Sequence, residues 1–387
     1  MNLNNMKTMK TKHLLFALFT LVLSIQSCKK DDKDPNAALK ESIKSNYADI
    51  VSATYEDTYN KGVELKTAID AFVANPTPQS FDDAKTAWKA AREPYGQTEA
   101  FRFSNGPIDA GADAPEGLIN GWPLDEVYID NIIAGTDDLS DLDNLNEAGG
   151  EKNISVGYHA IEYLLWGADN TAPSANLPGQ RTYTDYVGNG TTETRRRQYL
   201  QTVTNLLVGH LEYLKNRWAS GAGTYRATFL ALDNNVALTN ILTGIGVLSK
   251  SELAGERIYT AYDNQDQEDE HSCFSDNTHR DIRLNLQGIK NVYTGSYTRT
   301  NNSVISGASL SDLVTKADAT LATTVTNQLT NAVARVNATG IPFDNAITDG
   351  SQRPAVLDAV YSLRQLGDDF SQAGSKLGLT IDTSLPE

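Results

Sequence analysis

The sequence predicts an all-α protein, built as two helical-bundle-like domains joined by long irregular connections. Three observations point there. Apolar residues recur three and four apart through most of the chain, the period of one helix face. Period-two alternation, the mark of a half-buried strand, is almost absent. The helical stretches fall into two sets around the Gly-rich "ASGAGT" at 219–224. Two segments, "HAIEYLLWGAD" and "DAVYSLRQLGD", share a shape that suggests duplication. In that pairing Asp358 and Tyr361 stand where the first copy has His159 and Glu162.

The elements follow in order. Residues 1–27 read as an export leader: Lys7, Lys10 and Lys12 precede an apolar run from Leu14 to Ile25, too short for a comfortable membrane span. The run ends in "SIQSC", which resembles a bacterial lipobox with Cys28 as lipid acceptor, although Gln26 stands where a small residue is usual. Residues 28–36 would then be a charged, lipid-anchored linker; "CKKDDKD" resembles the export tag of Bacteroidetes surface lipoproteins. This places the protein at the outer membrane or cell surface. With Cys28 lipidated, Cys273 has no partner for an intrachain disulfide.

The first domain is expected over 37–221 and the second over 222–387. Residues 37–74 read as one long helix stopped at "ANPTP". "SFDDAKTAWKAAREPY" starts the next, with Ser80 as N-cap and a bend expected near Pro94. The stretch 104–150 is irregular and rich in Gly, Pro, Asp and Asn, yet Trp122, Tyr128, Ile129, Ile132 and Ile133 argue that it is packed. A helix carrying "GYHAIEYLLWG" (157–167) follows, then an amphipathic helix marked by Leu200, Val203, Leu207, Leu211, Leu214 and Trp218. Helices are expected at 225–263, interrupted by Gly244 and Gly246, and at 279–293, 309–338 and 353–377. An acidic irregular stretch lies between the first two of these.

The formal charge is −16, and loss of the three leader lysines takes it to −19. Such a surface repels nucleic acid and anionic lipid headgroups, so neither is an expected partner. It attracts cations, though acidity by itself serves solubility.

His159 and Glu162 stand three apart in an apolar run, so their side chains meet on one helix face. Each costs free energy if buried alone. Two readings stay open at the residues: a self-satisfied pair in a helix interface, or two ligands of a cation. Two ligands do not fill a coordination shell. The sequence has no H-E-x-x-H signature of a zinc peptidase. His210 shares the packing face of its helix. In "EDEHSCFSDNTH", the residues Glu268, Glu270, His271, Cys273, Asp276 and His279 also have metal-binding chemistry, and Ser275 or Asp276 suits a helix cap.

"GYHAIEYLLWG" resembles the G-x-H-x-x-E signature of the imelysin family, peptidase family M75. "FRFSNGPID", "INGWPLDEVYIDNIIAG" and "YDNQDQEDEHSCFSDNTHRDI" look like further stretches of that family, in the right order along most of the mature chain. The resemblance implies an exported, all-helical protein of two related bundles, associated with iron acquisition. It implies metal ligation by His159 and Glu162, with Glu99 and, more loosely, Asp109 supplying carboxylates. Trp122 and Trp166 would wall the site, and Cys273, Asp276 and His279 would line the domain interface. Iron is the expected metal, since a hard ion suits carboxylate oxygens, with zinc as the alternative. The partner would be an iron or haem source. The competing readings are an M75-type metallopeptidase using the H-x-x-E pair, and a non-catalytic surface receptor for haem, a peptide or a polymer.

Overall fold

The computed structural model describes residues 34–111, 113–146 and 153–385; the leader and Cys28 lie outside them. Residues Asn36–Glu387 form one compact unit. The domains expected at 37–221 and 222–387 both lie within it.

Helix α1 (Ala37–Ala74) covers the span its periodicity predicts. It stops where Pro76 disfavours a helical Asn75. Helix α2 (Pro78–Thr98) starts three residues earlier than expected. Its N-cap is Thr77, not Ser80, because Pro78 suits the first helical position and Ser80 completes a capping box with Thr77. The helix continues through Pro94 to Thr98.

The irregular stretch is packed, and it holds short helices α3 (Glu116–Asn120), α4 (Glu126–Ala134) and α5 (Leu142–Leu145). Helix α6 (Gly157–Trp166) carries the H-x-x-E pair, and all ten of its residues are buried. Helix α7 (Thr191–Trp218) closes the first half, and α1 packs against both α2 and α7.

The second half opens with α8 (Tyr225–Leu230) and α9 (Asn234–Val247). Gly244 and Gly246 do not break α9; it runs on as a π-helical stretch, Leu248–Tyr259, into α10 (Thr260–Asn264). Helix α11 (Thr278–Thr294) leads to a hairpin that the sequence did not announce, β1 (Ser296–Thr298) paired antiparallel with β2 (Val304–Ser306). Its strands are only three residues long, too short for alternation to register. Helices α12 (Leu310–Ala317), α13 (Ala319–Asn337), α14 (Phe343–Thr348) and α15 (Arg353–Lys376) complete the fold. Asp318 splits the expected 309–338 helix by accepting from the first N–H groups of α13. The suggested duplication does not extend to the motif. Asp358 pairs with Arg335 and Tyr361 is 58 % exposed, whereas His159 and Glu162 are fully buried.

The halves meet where α2 and α11 run side by side. Arg92 faces Asp281, Asn285 donates to the Gly96 carbonyl, and the Asn291 and Gln97 amides are hydrogen-bonded, so the two helices run parallel. Gly288 lets them come together: a Cβ there would collide with the Gln97 carbonyl oxygen. We expect Gly288→Ala to destabilise the protein by about 1–3 kcal/mol through this overpacking, read as a lower urea midpoint. Gly209→Ala, in open space on α7, should be neutral or slightly stabilising.

Candidate functional site

The site grows from the close entry of α6. Gly157 has φ +90°, and a Cβ there would lie 2.7 Å from the Ile119 carbonyl oxygen. Helix α6 therefore starts at Gly157, and Ser155 lies outside it; Ser155 N–H instead donates to Asn146. The approach brings Asn120 and Trp122 beside the first turn of α6. Trp88 of α2 fixes the other side by donating to the Tyr158 carbonyl at 2.9 Å.

His159 Nδ1 lies 2.9 Å from Glu162 Oε2, and both side chains are 0 % exposed. Glu162 Oε1 accepts from Ser275 twice, from its N–H at 2.9 Å and its hydroxyl at 2.6 Å. Burial pushes the Glu162 carboxyl up to about 8, against the pull of the Ser275 hydroxyl. Burial, then the neighbouring His271, pushes the His159 imidazole well below its usual range. At neutral pH the pair is uncharged. Glu162 then donates from Oε2 to Nδ1, and the ring proton sits on Nε2. That Nε2 is buried and has no hydrogen-bond partner.

Two aromatic rings and a second imidazole close over His159. Ring centroids lie 4.6 Å away for His271 and 5.0 Å for Trp122, and Phe274 packs against Trp122 at 5.7 Å. Asn120 Oδ1 accepts from Arg92 at 2.6 Å, so its Nδ2 is the donor to His271 Nε2 at 3.3 Å. His271 Nδ1–H then faces Asp281 Oδ2 at 3.6 Å. Burial, reinforced by Arg257, lowers His271 to about 4 and keeps it neutral.

Beneath the pair runs a buried ionic network. Arg92 holds both oxygens of Asp281, and Ser272 donates to the same carboxylate. Glu99 accepts from Arg257 at 2.7 Å and from Arg102 at 3.4 Å, and Asn120 approaches its other oxygen at 3.5 Å. Arg257 reaches Glu252 five residues back, a spacing that the π-helical stretch aligns. Arg102 also meets Glu116.

The expected site residues are therefore distributed unevenly. His159 and Glu162 share a turn, and Trp122 covers His159. Glu99 reaches the pair only through Asn120 and His271. Asp109 lies apart, accepting from the Phe103 N–H at 2.7 Å and facing Arg102 at 4.0 Å. Trp166 packs on Trp88 at 5.3 Å and lies under Lys85 and Lys89. Cys273 is a buried thiol, His279 Nδ1 bonds the Asp276 carbonyl, and Asp276 joins two other aspartates. Among the described residues, no third His, Cys, Asp or Glu converges with His159 and Glu162 at metal-ligand spacing. Sequence reasoning missed Asn120, Arg92, Asp281 and Arg257. A pattern of buried charges on two facing helices was the only available signal, and it needs the pairing of α2 with α11 to be read.

With this geometry in hand, the family model for imelysin (peptidase M75) matches residues 51–370. The chain belongs to the imelysin family. It is 26 % identical over 333 residues to iron-regulated protein A of Synechococcus elongatus, spanning 84 % of this chain and 82 % of that one. A solved structure from Parabacteroides distasonis ATCC 8503, assigned as an iron-regulated protein A precursor, superposes with TM-score 0.70 at 23 % identity, covering 88 % of this chain and 97 % of that one. An imelysin-like protein from Psychrobacter arcticum 273-4 shares the fold at TM-score 0.62 and 13 % identity, covering 90 % and 98 %.

The network sets an acid limit on stability. Burial alone would raise Glu99, but Arg257 and then Arg102 outweigh it and hold the carboxyl at about 2. A folded pKa below the unfolded value means that ionised Glu99 stabilises the fold above about pH 4.5 and stops doing so as pH falls towards 2. The contribution is of order 3 kcal/mol. Thermal melts should show the wild type losing stability across that window. Glu99→Gln should be less stable at neutral pH, because Arg257 loses a buried partner, and should lose less on acidification.

Proposed function

We propose that this imelysin-family protein is an exported lipoprotein of the iron-acquisition system that binds a metal ion, iron first, at the fully buried His159. The observation that carries the reading is the fully buried His159 Nε2 with no partner. Buried imidazole nitrogens are normally satisfied, and one that is not marks a place for a ligand. The iron-regulated name of the Synechococcus relative supports the iron association.

The residues have distinct parts in this reading. His159 offers Nε2, and His271 stands beside it. Glu162 has both oxygens engaged, so it orients the imidazole, as a carboxylate behind a metal-bound histidine does. A bound cation supplies positive charge where the pair now keeps a proton. Loss of that proton leaves Nδ1–H donating to ionised Glu162 and frees Nε2 as a lone-pair donor. Trp122 and Phe274 exclude water. Glu99, Arg257 and Arg102 balance charge below the pocket. A peptidase centre requires three protein ligands around one ion. Among the described residues no third ligand converges with His159 and Glu162, which favours binding over cleavage.

Metal analysis and calorimetry test this. The wild-type protein should bind iron or zinc at micromolar concentration, and His159→Ala/Glu162→Ala should lose at least tenfold in affinity. Absence of binding in the wild type, or equal binding in the variant, overturns it. Because one proton leaves, affinity should rise with pH, up to tenfold per unit, until about pH 8 where Glu162 ionises unaided. Cys28→Ser should release the protein from the membrane fraction, checked by fractionation and immunoblot.

A further inference from the structure

A second group of carboxylates lies outside the His159 pocket. Asp169, Asp276 and Asp344 each bring one carboxylate oxygen within 4.8 Å of the other two. Three separate segments supply them. Asp169 follows the end of α6, where the Thr171 N–H and hydroxyl donate to its Oδ1 at 3.0 and 2.9 Å. Asp276 sits at φ 54° after a short turn. Asp344 is the second residue of α14.

Like charges this close repel, and burial makes the repulsion stronger. Asp169 and Asp344 are each 3 % exposed. Among the described residues none of the three forms an ion pair with a lysine, arginine or histidine; Lys89 is the cation whose charge offsets Asp276. Two orphaned oxygens point to something missing. Asp344 Oδ1 is buried with no hydrogen-bond partner, and so is Oε1 of Glu270, a residue 1 % exposed. Glu270 is repelled in turn by Asp344, Asp276 and Asp169. Burial, then the neighbouring Asp344 and Asp169, pushes Asp276 up to about 7, and burial, against the pull of the Asn345 N–H, pushes Asp344 up to about 6.

We propose that Asp169, Asp276 and Asp344 form a Ca²⁺ site, with Glu270 beside it. The donor set is oxygen only, which suits a hard ion. Ca²⁺ accepts six to eight oxygens at about 2.3–2.6 Å in irregular arrangements, whereas Mg²⁺ demands near-octahedral geometry at about 2.0–2.1 Å. Carboxylates from three unrelated backbone conformations match the first description.

The site would hold the cover of the His159 pocket in place. Asp276 follows Ser275, whose two hydrogen bonds fix Glu162. Asp169 lies two residues past Gly167, the C-cap of α6. The Gly179 N–H already ties this loop to the Phe274 carbonyl. A cation at the three aspartates joins the same segments to α14.

The test uses the mature full-length protein after EDTA treatment and dialysis. Titration with Ca²⁺ in a calorimeter should show one site per chain and a raised melting temperature, with Mg²⁺ at least tenfold weaker. Asp276→Asn and Asp344→Asn should each weaken Ca²⁺ binding at least tenfold, while His159→Ala/Glu162→Ala keeps it. Without Ca²⁺ at neutral pH, Asp344→Asn should melt higher than the wild type, because repulsion is relieved; with saturating Ca²⁺ the order should reverse. No binding or thermal shift at millimolar Ca²⁺ overturns the proposal. So does Ca²⁺ binding that survives both substitutions, or an Asp344→Asn protein that melts lower than wild type in both conditions.

Discussion

The buried ion pair between Arg92 and Asp281 is the constraint around which the rest of the site is arranged. Both side chains are 1 % exposed, and the guanidinium donates to both oxygens of the carboxylate and to Asn120. Tyr158, Tyr95 and Trp88 surround the guanidinium. A pair taken this far from water is tolerable only when each donor and acceptor is met, and removing one partner typically costs about 3–5 kcal/mol. Here the requirement is met by groups from α2, α3, the 271–272 turn and α11. Satisfying one ion pair therefore fixes the mutual position of four chain segments.

The position of the H-x-x-E helix follows from that arrangement. Asn120, oriented by Arg92, is the donor to His271, and His271 packs on His159. Ser272 donates to Asp281, and three residues later Ser275 donates to Glu162. The same short segment thus serves the ion pair with one end and the histidine–glutamate pair with the other. The two sites differ in charge state because their surroundings differ. Arg92 outweighs burial at Asp281 and keeps it ionised, whereas Glu162 has hydroxyl and amide donors but no contacting cation, so burial prevails. One pocket accordingly holds fixed charge, and the other holds an exchangeable proton.

Legibility in the sequence tracked how local each signal was. Helix α1 was readable end to end, because apolar spacing and the Pro76 stop lie in consecutive residues. The start of α2 was misplaced from Thr77 to Ser80, since both are good caps and only the geometry shows which one holds the helix end. The hairpin at 296–306 was invisible because its strands are shorter than the alternation that would reveal them. In the site, His159 and Glu162 stood out as polar residues in an apolar run. Glu99 was legible only as a carboxylate that could serve a metal, because its partner Arg257 lies 158 positions away in sequence.

Sequence alone determined the helical class, the acidic character, the ordered family motifs and the pairing of His159 with Glu162, because period, composition and i,i+3 proximity are properties of neighbouring residues. Only the tertiary structure decided what those two side chains face. It set Ser275, His271 and Trp122 around them, assigned Glu99 to the arginines, turned Trp166 towards Trp88, and gathered Asp169, Asp276 and Asp344 from three segments. Burial and long-range charge fix protonation and partnership, and both exist only after the chain has folded.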